Sequence, residues 1–182
     1  MPKGRRFGGQ CAVTTAGSEI YIVGGDTRSV DVFDTSPSLT WQTRIYLGDM
    51  SEYRSYAAAV LLKKKYLVVI GGSVNASSLI YDIWCNRWSS TPASIDMIEV
   101  RYSHTVEVLD GKIVVAGGWG RNGITLASVE CIDADALLEY APLHYPLPDW
   151  ILGRVFEMGK FERELVYCAV FDKLKVKKRK IM

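Results

Sequence analysis

The sequence has little of what membrane, secreted or metal-binding proteins require. No apolar run approaches the roughly 18 residues of a membrane-spanning helix. Lys3, Arg5 and Arg6 make the N-terminus basic, but no hydrophobic segment follows them, which excludes a secretory signal. The two histidines, His104 and His144, lie far apart in the chain, so no metal-ligand spacing stands out.

Cysteine is also sparse, and the common catalytic motifs are missing. No two cysteines form a C-x-x-C pair, so a zinc or redox motif is unsupported, and small buried side chains in a reducing compartment are expected. They are Cys11, Cys85, Cys131 and Cys168. The run Gly117-Gly118-Trp119-Gly120 lacks both the P-loop and the dinucleotide-binding pattern, and no G-x-S-x-G motif is present. The sequence therefore predicts no enzyme, no cofactor and no metal site.

Charge is nearly balanced, at a net +2, in a chain that is 48% hydrophobic. Such a composition is typical of a globular domain and not of a polyanion binder. Six positive charges fall between Lys173 and Lys180, in a basic tail at 173–182. This tail could be a solvated segment, a nuclear address or a nucleic-acid contact. No aromatic residue stands among its charges, which argues against nucleic-acid binding, and we expect a cytoplasmic protein, or a nuclear one if the tail is an address.

One pattern recurs three times at a nearly constant step. Glycine pairs follow apolar runs at Gly24-Gly25, Gly71-Gly72 and Gly117-Gly118, with steps of 47 and 46 residues. An arginine opens each unit: Arg6, Arg54 and Arg101. A short strand ending in an acid follows each pair, at Asp34, Asp82 and Asp133, where we expect turn or cap groups. Self-similarity at this period predicts a repeat architecture.

Each repeat reads as four short strands rich in Val, Ile, Tyr and Trp and bounded by turn residues. Tight turns are predicted at Gly17-Ser18 and Asp110-Gly111, with Lys63-Lys64 in the same place in repeat two. Trp41 and Trp88 open the fourth strands, and Tyr140 is expected to fill the same space in repeat three. The predicted strands are Gln10–Thr15, Glu19–Gly24, Ser29–Phe33 and Trp41–Tyr46, then Tyr56–Leu62, Lys65–Ile70, Ser78–Ile83 and Arg87–Ser90, then His104–Leu109, Lys112–Ala116, Ala127–Ile132 and Leu138–Ala141.

Arginine, first strand, apolar run with Gly-Gly, aromatic-Asp and then Trp resembles the kelch repeat. The resemblance covers 6–147, as repeats at about 6–50, 51–97 and 98–147. It implies an all-β fold of kelch-type β-propeller blades, each of four antiparallel strands. Its structural signature would be the three glycine pairs with Trp41 and Trp88.

The propeller would be incomplete, because propellers usually have four to eight blades. Arg154 could open a degenerate partial fourth blade at 148–172, but the glycines are missing there. Three or three and a half blades would leave apolar end faces uncovered. We therefore expect part of a longer protein, a ring closed by self-association of two copies, or an open arc of low stability.

The resemblance implies a non-catalytic protein-binding or adaptor module that acts through its blade loops. Candidate partner-binding residues are Trp119, Arg121 and Asn122 in the longest loop, with Arg54 and Arg101 near the channel rim. The two arginines could instead pair structurally with a neighbouring blade. An enzyme or small-ligand propeller acting at the central channel is the first alternative. A truncated fragment without independent function is the second.

Overall fold

The computed structural model describes residues 11–35, 40–42 and 48–142. Arg6, the predicted partial blade at 148–172, the tail at 173–182 and the side chain of Trp41 lie outside this description.

Three antiparallel sheets follow one another along the chain. In the first two, neighbouring strands are also neighbours in sequence, and in the third a short strand that belongs to another pairing intervenes. Sheet one contains β1 (Cys11–Ala16), β2 (Glu19–Gly24), β3 (Val30–Asp34) and β4 (Thr40–Gln42). Sheet two contains β5 (Ala58–Leu62), β6 (Tyr66–Ile70), β7 (Ser78–Asp82) and β8 (Arg87–Ser90). After the short β9 (Arg101–Tyr102), sheet three contains β10 (Thr105–Leu109), β11 (Lys112–Ala116) and β13 (Val129–Asp133), while β12 (Trp119–Gly120) pairs with β9.

The predicted tight turns are confirmed. Gly17 has a φ of 61°, and Asp110 and Gly111 have φ angles of 49° and 74°. At Asp110-Gly111 both central residues have positive φ, which gives the turn a twist that matches the right-handed twist of the flanking strands. Lys63 and Lys64 take the same conformation, at 51° and 53°, without the help of a glycine.

Sheet two is buried on both faces, which explains its nearly continuous apolar strands. Alternate residues point to opposite faces of a strand, so Leu67 and Val69 pack toward sheet one, while Val68 and Ile70 pack toward sheet three. Two core clusters result, one on each side of sheet two. The first strands β1, β5 and β10 lie side by side, so the three sheets converge at these edges.

The fourth strand predicted at Leu138–Ala141 is wrong. The chain forms a short helix instead, α1 (Ala134–Leu138), and sheet three has three strands. Asp133 caps the helix by accepting a hydrogen bond from the Ala136 amide at 2.9 Å. Leu137 is fully buried in the second core cluster, whereas Tyr140 is exposed, so the expectation that Tyr140 takes the place of the tryptophan is also wrong.

The expectation of buried cysteines holds for one described thiol and fails for another. Cys85 is buried, but Cys131 is exposed on β13. The sequence pattern predicts which side chains of β13 share a face of the sheet, but it does not show whether a further sheet covers the second face.

Candidate protein-binding surface

The blades have two distinct ends, and the repeated arginines mark one of them. At this end the second strand of each sheet finishes at its glycine pair and the third strand begins. We call it the arginine end. It also carries the loops that join second to third strands, at 25–29, 71–77 and 117–128, and the connections between successive sheets.

Arg54 is fully buried and binds two segments of its own sheet. Its Nη1 donates to the carbonyl oxygens of Gly71 at 2.9 Å and Ser77 at 2.7 Å. Its Nη2 donates to Ser77 Oγ at 2.7 Å and to Glu52 Oε1 at 2.5 Å. Burial lowers the pKa of the Arg54 guanidinium below its usual value, and the Glu52 carboxylate opposes this shift. The side chain therefore holds the end of β6 to the start of β7.

Arg101 repeats this geometry one sheet later. Its Nη1 donates to the carbonyl oxygens of Gly117 at 2.9 Å and Ser128 at 3.1 Å. Its Nη2 donates to Ser128 Oγ at 2.9 Å and to Glu130 Oε1 at 2.5 Å, with Glu99 Oε2 at 3.4 Å. Because the planar guanidinium donates in several directions at once, one residue satisfies carbonyls from two strands.

The backbone of each arginine also joins its sheet to the preceding one. The Gly25 amide donates to the Arg54 carbonyl at 3.2 Å, and the Gly72 amide donates to the Arg101 carbonyl at 3.1 Å. The first glycine of each pair makes room for that carbonyl: a Cβ at Gly24 would clash with the Arg54 oxygen, and one at Gly71 would lie 2.8 Å from the Arg101 oxygen. The glycines of these two pairs have φ angles from 66° to 124°, a left-handed conformation that glycine adopts without a steric penalty.

The longest loop is an ordered hairpin at the arginine end. Trp119 and Gly120 pair with Tyr102 and Arg101, and the Gly120 amide donates to the Ile124 carbonyl at 2.8 Å. At its tip, Arg121 and Asn122 are exposed. The hairpin is thus fixed to the segment that carries the buried arginine, and it presents its tip to solvent.

Large apolar side chains gather in solvent at the same end. They belong to separate loops: Tyr53, Val74, Ile98, Trp119 and Ile124. The guanidinium of Arg28 lies 5.9 Å from the centre of the Tyr53 ring, which adds a cation to this surface. We call these six residues, with Arg121 and Asn122, the loop surface.

Two comparisons with known proteins agree with this geometry. The kelch motif matches residues 101–135, which run from Arg101 to the start of α1. Human Kelch-like protein 33 is 29% identical over 126 residues, which cover 65% of this chain and 23% of that protein. This chain carries kelch repeats. Its three sheets are kelch-type blades of an incomplete β-propeller, numbered one to three below, and the chain spans about a quarter of the length of the relative it matches.

Within the kelch blades, Asp82 and Trp88 serve structure. Asp82 accepts hydrogen bonds from the amides of Trp84 at 2.9 Å and Cys85 at 3.1 Å, as expected of a turn group. Trp88 donates from Nε1 to the Gly48 carbonyl at 2.7 Å and packs on Tyr81 with ring centres 4.8 Å apart. These contacts secure the turn and the outer strand of blade two.

The candidate partner-binding residues fall into two groups. Trp119, Arg121 and Asn122 lie together on the hairpin, whereas Arg54 and Arg101 have no side-chain surface in solvent. The sequence left open a pairing of the two arginines with a neighbouring blade, but both guanidinium groups bind their own blade, and only the backbone carbonyls contact the preceding blade. Partner binding by all five residues stays a prediction.

Sequence reasoning missed the residues that complete the arginine sites. Ser77 and Ser128 each stand directly before a third strand, and Ser29 occupies that position in repeat one. Glu52 and Glu99 stand two residues before their arginines. The serine recurs in all three repeats and the glutamate in repeats two and three, with Gly4 in its place in repeat one, so an alignment of the repeats with one another would have found both.

Proposed function

We propose that this chain is a non-catalytic protein-binding module that takes its partner on the loop surface. The observation that carries the proposal is the gathering of exposed apolar side chains from four loops at one end of the blades. Kelch repeats generally serve as protein-interaction scaffolds, and aromatic and arginine side chains are frequent anchors in interfaces. An adaptor role, in which the bound partner is presented to another protein, is the finer form of the proposal.

The buried arginine sites support this surface. Since Arg54 and Arg101 fix the ends of the strands, the loops between them start from rigid positions. A preorganised loop loses less conformational freedom on binding, which favours affinity. Trp119 is the most firmly held residue of this surface, because its strand pairs with the segment that contains Arg101.

The alternative site at the central channel has less support. The Nη atoms of both arginines already bind the carbonyl and carboxylate oxygens of their own blades. Among residues 11–35, 40–42 and 48–142, no group of three or more His, Cys, Asp or Glu side chains could hold a metal ion. In the same ranges, no helix is long and apolar enough to cross a membrane.

The test compares two tryptophans at opposite ends of the blades. Trp119 is 44% exposed on the loop surface and Trp84 is 53% exposed in the turn after β7, so the second is a matched control. Partners captured by the purified chain would be quantified by mass spectrometry for Trp119→Ala with Arg121→Ala, and for Trp84→Ala. We expect the double variant to capture at least about tenfold less partner than the parent, and Trp84→Ala to capture as much as the parent. Equal capture by the double variant, or loss with Trp84→Ala alone, would refute this surface.

A further inference from the structure

Blade three has an apolar face that points away from blade two. Leu109 and Val129 are 62% and 60% exposed, the Cys131 thiol is exposed, and Val114 is half-buried. Neither core cluster includes any of them. The equivalent residues of blade two are buried against blade three: Leu62, Val68 and Ile80. Glu107 is exposed on the same face, opposite Val114, where blade two has the buried Val60, so one carboxylate lies among these apolar side chains. The face otherwise has the character of a blade-to-blade contact, and no described residue packs there as a further blade.

The backbone at Gly117 also has the conformation of a contact between blades, but among the described residues it lacks the neighbouring carbonyl that Gly71 has. Its φ of 65° nearly equals the 66° of Gly71. A Cβ at Gly71 would meet the carbonyl of the next arginine, whereas the nearest atom to a Cβ at Gly117 is the Leu126 oxygen, at 3.6 Å. Blade three thus has the glycine that admits an arginine carbonyl, and the described residues supply no such carbonyl.

The sequence offers two arginines in the repeat position for this contact, Arg6 and Arg154. In both described cases the arginine side chain binds a glycine and a serine of its own repeat, as Arg54 binds Gly71 and Ser77. Ser77 lies 23 residues after Arg54, and Ser29 lies 23 residues after Arg6.

Only the repeat of Arg6 has both acceptors. Gly24 and Ser29 stand at the required places in repeat one. After Arg154 the corresponding positions hold Phe171 and Lys177. Arg6 is therefore the better match for the contact at Gly117.

Blade one also carries apolar side chains on its outer face, beside the carboxylate of Asp31, which lies opposite Ile22. Ile20, Ile22 and Phe33 are half-buried and alternate with residues that pack on blade two. Their counterparts in the other blades are buried against the preceding blade: Leu67, Val69 and Tyr81 in blade two, and Ile113, Val115 and Ile132 in blade three. Blade one is thus built to follow another blade.

Blade one and blade three of the same copy would make a ring of three, below the four to eight blades of propellers. We propose that the outer face of blade three packs on blade one of a second copy. The reciprocal contact forms a second, identical junction. Two copies then close a six-bladed ring with twofold symmetry.

The first test uses the full chain and two readouts. Light scattering should give about twice the chain mass of 20.3 kDa at high concentration and the single mass on dilution. Maleimide labelling of Cys131, followed by peptide mass spectrometry, should slow by at least about tenfold in the dimer, because the thiol lies in the junction.

Charge variants then identify the faces. Leu109→Lys should raise the dimer dissociation constant at least about 100-fold, since it places an unpaired cation in an apolar contact. Trp84→Lys is the control, because Trp84 is 53% exposed in the turn after β7 of blade two, away from this face and from the loop surface. Ile20→Lys should dissociate the dimer in the same way. A mixture of Leu109→Lys and Ile20→Lys chains should recover a dimer, because one of its two junctions has no substitution.

Several results would overturn the proposal. A monomer with a slowly labelled Cys131 would mean that another segment of the same chain, such as 154–172, covers blade three. A monomer with fast labelling would leave the face uncovered. A dimer that survives Leu109→Lys, or that mixing does not recover, would use a different surface.

Discussion

At the scale of single residues, the buried arginines carry the largest expected effect. Arg101→Lys should lower the free energy of unfolding by about 2–4 kcal/mol, because one ammonium cannot replace a guanidinium that binds Gly117, Ser128 and Glu130 together. Urea unfolding followed by circular dichroism measures the loss. Arg121→Lys, at an exposed hairpin tip, should stay within about 0.5 kcal/mol of the parent. Similar values for the two variants would contradict a structural role for Arg101.

His104 should make stability depend on pH. Burial, followed by the positive charge of Arg101, lowers its pKa from 6.5 to about 4. Between these values the unfolded chain binds the proton and the folded chain does not. The free energy of unfolding should therefore fall as pH drops from 6.5 to 4, by up to about 2 kcal/mol after allowance for solvent screening.

The measurement is a series of thermal melts across this window. His104→Gln should remove the part of the pH dependence that this side chain causes. His144→Gln controls for the second histidine of the chain. If the parent and His104→Gln lose stability in parallel as the pH falls, His104 is not the titrating group.

At the scale of elements, the turn after β5 should be improvable. Lys64 has a φ of 53°, where Gly111 stands in the equivalent turn of blade three. Lys64→Gly should raise the free energy of unfolding by about 0.5–1 kcal/mol, because relief of the left-handed strain exceeds the extra entropy of an unfolded glycine. Gly111→Ala should do the opposite. Thermal melts of both variants measure the pair, and a loss of stability in Lys64→Gly would refute the argument.

The strands could be predicted from sequence because alternation and turn chemistry agree there. β5, β6 and β7 start within about two residues of their predicted positions. Helix α1 could not, since Asp133-Ala134-Asp135 follows a strand just as Asp82-Ile83-Trp84 does. The deciding contact is tertiary: Leu137 fills the core beside blade two, and the Asp133 cap satisfies the first turn. The sequence alone indicates that Asp133 could cap a helix, but it does not show that Leu137 packs in the core.

The same limit applies to the candidate site. The repeat period identified Arg54 and Arg101, but not the orientation of their side chains. That orientation depends on the carbonyl oxygens of Ser77 and Ser128, which lie more than 20 residues away in the sequence. The hairpin at Trp119 was predicted as a loop. Its pairing with Arg101 and Tyr102 is a contact between distant segments that periodicity does not encode.

At the scale of the whole molecule, substitutions at two glycines can distinguish the energy of the contact between blades from the backbone strain at a single residue. Gly71 and Gly117 share φ within one degree, but only Gly71 faces the next blade: a Cβ there would lie 2.8 Å from the Arg101 oxygen, the His104 ring and the Met97 methyl. Gly117→Ala should cost about 1 kcal/mol of unfolding free energy in a monomer, from backbone strain alone.

Gly71→Ala should cost at least about 2 kcal/mol more, because blades two and three must move apart to admit the methyl group. Urea melts at a concentration where the chain is monomeric measure the difference. Equal losses would show that the glycine pairs serve only to turn the chain. If Gly117→Ala is mild in the monomer but prevents the two-copy association, the glycine is retained for a junction between copies, and the third repeat belongs to a larger ring.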